Sequence, residues 1–375
     1  MKLPRFYNDL SKYCKAGRVL VIFGPRQIGK TTLLNDFLQQ SAWKYRLDSG
    51  DNLHVRHTLG SEDFDSLARY AEGYELIAID EAQRVPRVGQ GLKILVDQIK
   101  GLRVIATGSS SFELAGQVGE PLTGRKRTLT LYPMAQLELR ALYNAHELRQ
   151  RLEEWLIYGG YPEVVATPRL AEKAALLTEL AEAYLLKDIL ELERVKSSKT
   201  LVDLLRLLAF QIGNEVSLTE LATQVRMDVK TVARYLDLLE KAFVIRELRG
   251  FSRNLRTEIT KKSKYYFIDN GIRNAVIANF NGLNLRNDAG VLWENFIFME
   301  RLKKRAYKEI HGACYFWRTW EQKEVDLVEE RGGRLHGYEC KWHARGAKKP
   351  RQWAEAYPDA SYTLIKPENY IEFVT

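Results

Sequence analysis

Gly24-Pro25-Arg26-Gln27-Ile28-Gly29-Lys30-Thr31 fits the phosphate-loop pattern G-x-x-x-x-G-K-[ST], and its flanks decide how it is read. Before it, Val19-Leu20-Val21-Ile22-Phe23 is an apolar run suited to a buried strand; after it, residues 32–40 have helical spacing. A strand that ejects the chain into such a loop turns backbone N–H groups inward. The following helix adds its positive N-terminus, so a polyphosphate is held by fixed dipoles. On this reading Gly24, Pro25, Arg26, Gln27, Ile28, Gly29, Lys30, Thr31 and Thr32 line a nucleoside triphosphate site. Lys30 would reach the β- and γ-phosphates and Thr31 would ligate Mg²⁺, a hard cation that prefers oxygen. A glycine-containing turn before an ordinary helix is the plain alternative, and the strand and helix in place together weigh against it.

Working outward, short apolar runs alternate with helix-like stretches up to about residue 131, the pattern of a parallel sheet covered by helices. Strands are expected at 18–23, 44–48, 75–79, 103–107 and 127–131. Ligands in such sheets bind at the carboxyl ends of the strands. The third run ends in Asp80-Glu81. Beside a phosphate loop, Asp80 would hold a Mg²⁺ water and Glu81 would polarise the attacking water. The fourth run exits at Gly108-Ser109-Ser110-Ser111, where a hydroxyl, Ser109 first, could sense the γ-phosphate or simply cap a helix.

The chain has 375 residues, too many for one core, so two or three domains are expected. Hydrophobic residues at 45% and charged residues at 28% exclude a disordered chain. A net charge of +9 favours an acidic partner such as nucleic acid. Cys14, Cys314 and Cys340 are odd in number and far apart, against both a disulfide scaffold and a structural zinc site. Without a signal-peptide core or an apolar run of membrane-spanning length, a soluble cytoplasmic protein with no membrane partner is expected.

Residues 146–210 carry apolar residues at helical spacing, broken by Tyr158-Gly159-Gly160-Tyr161-Pro162. Residues 217–250 read as helix, turn, helix and hairpin. Ser217 with Glu220 makes a capping box, and Asp228 can cap the second helix. That helix turns Val232, Leu236 and Leu239 inward and leaves Lys230, Thr231 and Arg234 outward. The segment resembles a winged helix, whose second helix can enter a major groove or contact a protein. Arg246, Arg249, Arg253, Arg256, Lys261, Lys262 and Lys264 favour phosphate contact, so Lys230, Thr231, Arg234 and Arg253 are the candidate DNA contacts.

Val325-Asp326-Leu327-Val328-Glu329 and residues 335–342 look like two strands joined through Gly332-Gly333. With those glycines at the turn centre, Asp326 stands opposite Glu339, and Lys341 shares their face. Val325, Leu327, Tyr338, Cys340 and Trp342 take the apolar one. Two facing carboxylates repel by roughly 0.2–1 kcal/mol unless something offsets them. A divalent cation would, and an ion pair of Lys341 with Glu324 is the plain alternative.

Two resemblances follow from these residues. Gly24-Pro25-Arg26-Gln27, Asp80-Glu81, Thr107-Gly108-Ser109-Ser110, Leu122-Thr123-Gly124-Arg125 before Tyr132-Pro133, and Tyr158 to Glu163 resemble prokaryotic AAA-type ATPases with a C-terminal domain long classed as of unknown function. This implies a sheet with an extra strand between the phosphate-loop strand and the Asp80 strand, and Arg125 as γ-phosphate sensor or finger. The order Asp, then Glu-x-Lys, resembles the PD-(D/E)XK nucleases, although Val325 stands where their proline would be. By that resemblance Glu294, Asp326 and Glu339 bind Mg²⁺ or Mn²⁺ and Lys341 activates the water. The expected architecture is α/β and multidomain: an AAA-type ATPase domain at 1–145, a helical linker at 146–210, a winged helix at 211–262 and a nuclease-like domain at 263–375. The expected function is ATP-dependent DNA handling with metal-dependent cleavage. A non-cutting DNA-binding regulator and a protein-interaction switch are the alternatives, and a homo-oligomer stays open.

Overall fold

The computed structural model describes residues 3–109, 121–192, 198–251, 263–343 and 349–375. Its first sheet holds β1 (Val19–Phe23), β2 (Tyr45–Ser49), β3 (Leu76–Asp80), β4 (Arg103–Thr107) and β5 (Lys126–Thr130), all parallel, in the order β2-β3-β4-β1-β5. Each strand lies within a residue or so of its expected place, and β4 stands between β1 and β3 as the extra strand. β1 is apolar throughout because it is buried on both faces. Its alternate residues divide between two cores, Val19, Val21 and Phe23 in one and Leu20 and Ile22 in the other.

A second sheet contains β6 (Glu215–Val216), β7 (Ile245–Gly250), β8 (Ser263–Phe267), β9 (Ala313–Arg318), β10 (Glu324–Arg331), β11 (Arg334–Cys340) and β12 (Ser361–Ile365). Their order is β12-β11-β10-β9-β7-β8-β6. β7 is antiparallel to β8 and parallel to β9, so one sheet runs across the position 262 expected as a boundary. Against it lie two short helices. Leu218–Val225 is capped by Ser217, whose Oγ accepts from the Glu220 N–H, while the Glu220 carboxylate accepts from Gln224. Val229–Lys241 is capped by Asp228 and buries Val232, Tyr235, Leu236, Leu238 and Leu239.

The β10–β11 hairpin has the expected register, with Leu327 opposite Tyr338 and Arg331 opposite Arg334. Gly332 and Gly333 have φ of 57° and 73°, the positive values a two-residue turn of this hand requires. On its other side, β10 carries an irregularity between Val325 and Val328 where it pairs with β9. Val325 therefore packs with Val328, Trp317 and Trp353, while Leu327 joins Tyr338 and Cys340 in the main core. The expected single apolar face is split, because a bulge breaks strict alternation.

The Gly159-Gly160 bend is a junction. Gly160 N–H donates to the buried Asp269 carboxylate at 2.7 Å, and Gly160 carbonyl accepts from Met134 N–H at 2.6 Å. Asp269 also caps helix Asn270–Val276. Any side chain at Gly159 would place its Cβ 2.0 Å from Asp269 Oδ1. Next to this junction runs helix Ala289–Tyr307, which carries Glu294. Its Glu300 accepts from Gln136 N–H, and its Lys303 reaches Glu300 and the Met134 carbonyl. No helix among the described residues is long and apolar enough to cross a membrane.

Candidate functional site

The phosphate loop leaves β1 between β4 and β5, with helix Lys30–Gln40 behind it. Gly24 has φ of 147°, and a Cβ there would lie 2.0 Å from the Leu131 carbonyl, so only glycine lets the loop turn beside β5. Ile28 is fully buried in the main core, which makes its side chain an anchor of the loop; ligand contact falls to its backbone. Lys30 is buried, its Nζ 2.9 Å from the Gly24 carbonyl and 2.6 Å from the Pro25 carbonyl. Thr31 and Thr32 open the helix on its exposed side, with Arg26 and Gln27 on the outer part of the loop.

Thr31 Oγ1 donates to Asp80 Oδ2 at 2.8 Å, and Thr107 at the end of β4 donates to Asp80 Oδ1. These hard oxygen donors, brought together at one end of the sheet, fit Mg²⁺. Glu81 follows Asp80 with φ of 50°, and Gln83 Nε2 donates to Glu81 Oε2 at 2.5 Å and to Ser109 Oγ at 3.3 Å. Gln83 was not legible as a site residue. The only sequence signal was its place two residues after the acidic pair. Ser110 and Ser111 lie outside the described residues. Glu81→Gln is expected to lower ATP turnover by about 100-fold or more while retaining nucleotide binding, the loss expected of a group that would polarise the attacking water without touching phosphate. Phosphate release set beside nucleotide affinity checks this.

Arg125 requires a correction. It precedes β5 at the end where Val19 pairs with Lys126, whereas the phosphate loop leaves from the other end, where Phe23 pairs with Thr130. Its guanidinium pairs with Asp97 at 2.5 Å. Within its own chain it cannot sense the γ-phosphate, because a five-residue strand, about 16 Å, lies between them.

The second candidate site gathers Glu294, Asp326, Glu339 and Lys341 along a cleft of about 850 Å³, with Lys264, Glu324 and Lys349 on the same walls. Asp326 Oδ2 accepts from the Cys340 N–H at 2.7 Å, and Lys341 pairs with Glu339 at 2.6 Å rather than with Glu324. Burial, with Glu294 and Glu339 close by, holds the Asp326 carboxyl well above its ordinary range. Burial also raises Glu339, against the opposing pull of Lys341. Glu339 Oε2 is buried and has no hydrogen-bond partner among the described residues. An orphaned carboxylate oxygen beside a second buried carboxylate is the donor chemistry that fits a divalent cation. Yet among the described residues no three acidic, histidine or cysteine side chains are gathered tightly enough to hold one. Glu294 is turned to β8, where Tyr266 and Lys264 engage it.

Of the candidate DNA contacts, Lys230 and Arg234 are exposed on helix Val229–Lys241, and the Thr231 hydroxyl is occupied by Asp228. Arg253, Arg256, Lys261 and Lys262 lie outside the described residues. The expected basic stretch is partly neutralised: Arg246 pairs with Glu240 and Arg249 with Glu247. Lys264 is only 2% exposed and is an internal ion-pair partner, not a phosphate contact.

Residues 16–140 match the family model described as AAA domain. Residues 149–286 and 289–371 match models described as Domain of unknown function (DUF8612) and Domain of unknown function (DUF4143). Residues 16–140 are thus similar to P-loop ATPase domains of the AAA type, a class that implies ATP and Mg²⁺. An uncharacterized protein of Mycobacterium tuberculosis is 29% identical over 326 residues, covering 86% of this chain and 70% of its own. One of Haemophilus influenzae is 26% identical over 352 residues, covering 88% and 84%. Among solved structures, a Walker-type ATPase of Pyrococcus abyssi aligns with a TM-score of 0.44 at 16% identity, over 69% of this chain and 91% of that one.

Proposed function

We propose that the chain couples ATP hydrolysis by Lys30, Thr31, Asp80 and Glu81 to DNA handling, with residues 211–262 as a winged-helix docking unit and the carboxylate cleft as a metal-dependent phosphodiesterase site. The observation that carries the second site is the convergence, in one cleft, of Glu294 from a helix, Asp326 and Glu339 from two strands and Lys341 just beyond β11, with one buried carboxylate oxygen that has no hydrogen-bond partner among the described residues. Asp326 and Glu339, joined by Glu294, would hold Mg²⁺ or Mn²⁺, which when bound supplies Lewis acidity at the phosphate. Lys341 places a positive charge where water adds to phosphorus and the P–O bond to the leaving nucleotide breaks. Coupling has a physical basis. The chain leaving β5 touches the phosphate loop at Gly24 and Leu131 and then bonds Gly160, Glu300 and Lys303, the last two on the helix that carries Glu294. Arg125 would act, if at all, on a neighbouring copy.

One observation favours a second reading, a non-cutting DNA-binding regulator: Glu294 and Glu339 are already paired with lysines. Cleavage of linear, nicked and branched DNA with Mg²⁺ or Mn²⁺, with and without ATP, separates the two. Cutting that is lost in Asp326→Ala supports the phosphodiesterase, and its response to Lys30→Ala reports gating. DNA binding that survives Asp326→Ala with no cutting supports the regulator. DNA binding that is indifferent to Lys230 and Arg234 points to a protein partner.

A further inference from the structure

Lysine is rarely buried unless paired, and Lys264 on β8 is 2% exposed. Its Nζ lies 3.3 Å from Glu294 Oε1, is hydrogen-bonded to Glu324 Oε1, and sits 5.4 Å from the centre of the Phe316 ring. Tyr266, two residues along and so on the same strand face, donates its hydroxyl to the same Glu294 oxygen at 2.6 Å. Glu294 is thus held by two donors from β8, while Glu339 Oε2 on the cleft wall has none among the described residues. An ammonium among carboxylates does what a bound cation would do: it offsets their mutual repulsion in a place water reaches poorly.

We infer that Lys264 is a built-in counter-ion of the cleft, holding Glu294 and Glu324 in the absence of a divalent cation and competing with that cation for Glu294. This rests on reading the cleft as a metal site. Lys264 is then a positioning residue that sets cation affinity. β8 also pairs with β7 of the proposed docking unit, so displacement of β7 would loosen the grip on Glu294.

The test is Mn²⁺ binding to the full, nucleotide-free chain, measured by calorimetry or electron paramagnetic resonance. Wild type, Lys264→Met, Lys264→Arg and Tyr266→Phe are compared, each also with Asp326→Asn to isolate the cleft from the ATPase site. Removing one adjacent positive charge is expected to tighten the Asp326-dependent affinity about tenfold in Lys264→Met. Lys264→Arg keeps the charge and should stay near wild type, and Tyr266→Phe, which releases one donor from Glu294, should tighten binding several-fold. If circular dichroism shows that Lys264→Met is misfolded, Tyr266→Phe decides alone. Asp326-dependent binding that is unchanged or weaker in Lys264→Met and Tyr266→Phe overturns the counter-ion while leaving the metal site standing. Absence of Asp326-dependent binding in every variant overturns the metal site and the counter-ion with it.

Discussion

Lys30→Ala is expected to reduce ATP turnover by at least about 100-fold, the scale seen when one preorganised electrostatic donor is removed from a developing negative charge. The lysine is buried within the loop it serves, its ammonium bonded to the Gly24 and Pro25 carbonyls, so a positive charge is already fixed beside the inward-facing N–H groups. Truncation leaves the sheet untouched, since β1 packs through Val19 to Phe23, but it removes the one charged side chain in the first turn of the helix that follows the loop. ATP should raise the melting temperature of wild type in proportion to ligand binding and raise that of the variant far less. Phosphate release and thermal melts with and without ATP and Mg²⁺ check both halves. Retained turnover would remove the phosphate loop from the active site.

The features legible in the sequence are the local ones. Gly24 to Thr31 lies between a five-residue apolar strand and a helix, and both are there. All five strands of the first sheet lie within a residue or so of their expected places, β1, β3 and β4 as apolar runs, and Gly332-Gly333 sets the hairpin register without help from elsewhere. What was not legible depends on partners far along the chain. Lys264 reads as the last of a basic run, and only the insertion of β8 between β7 and β6, against helix Ala289–Tyr307, turns it inward to Glu294. Arg125 lies next to the right motif but at the wrong end of a parallel strand, which spacing cannot reveal. Gly159-Gly160 reads as a bend, while its purpose is set by Asp269, 109 residues later. Alternation in β10 fails at a bulge that depends on β9.

Glu329→Gln carries the largest expected loss of stability, about 3–5 kcal/mol near neutral pH, the range for breaking one partner out of a buried charge cluster. Glu329, on β10, is fully buried. Its carboxylate accepts two bonds from Arg301, at 2.7 and 2.9 Å, and one from Arg331 at 3.1 Å. Arg305 lies 3.1 Å away as an ion pair without hydrogen-bond alignment. Burial alone would raise its pKa, but the hydrogen bonds and charge of Arg301, with Arg305 beside it, lower it from 4.5 to about 2. Because the folded value is depressed, the contribution is present above the unfolded pKa and fades as pH falls through the folded one. It is worth about 3 kcal/mol near pH 7 and less than half of that by about pH 3. Glutamine lacks the charge at every pH, so the gap between variant and wild type should narrow in acid. Urea denaturation at both pH values measures it. A gap that does not narrow in acid would mean that the carboxylate contributes through packing and hydrogen-bond shape, not through its charge on Arg301.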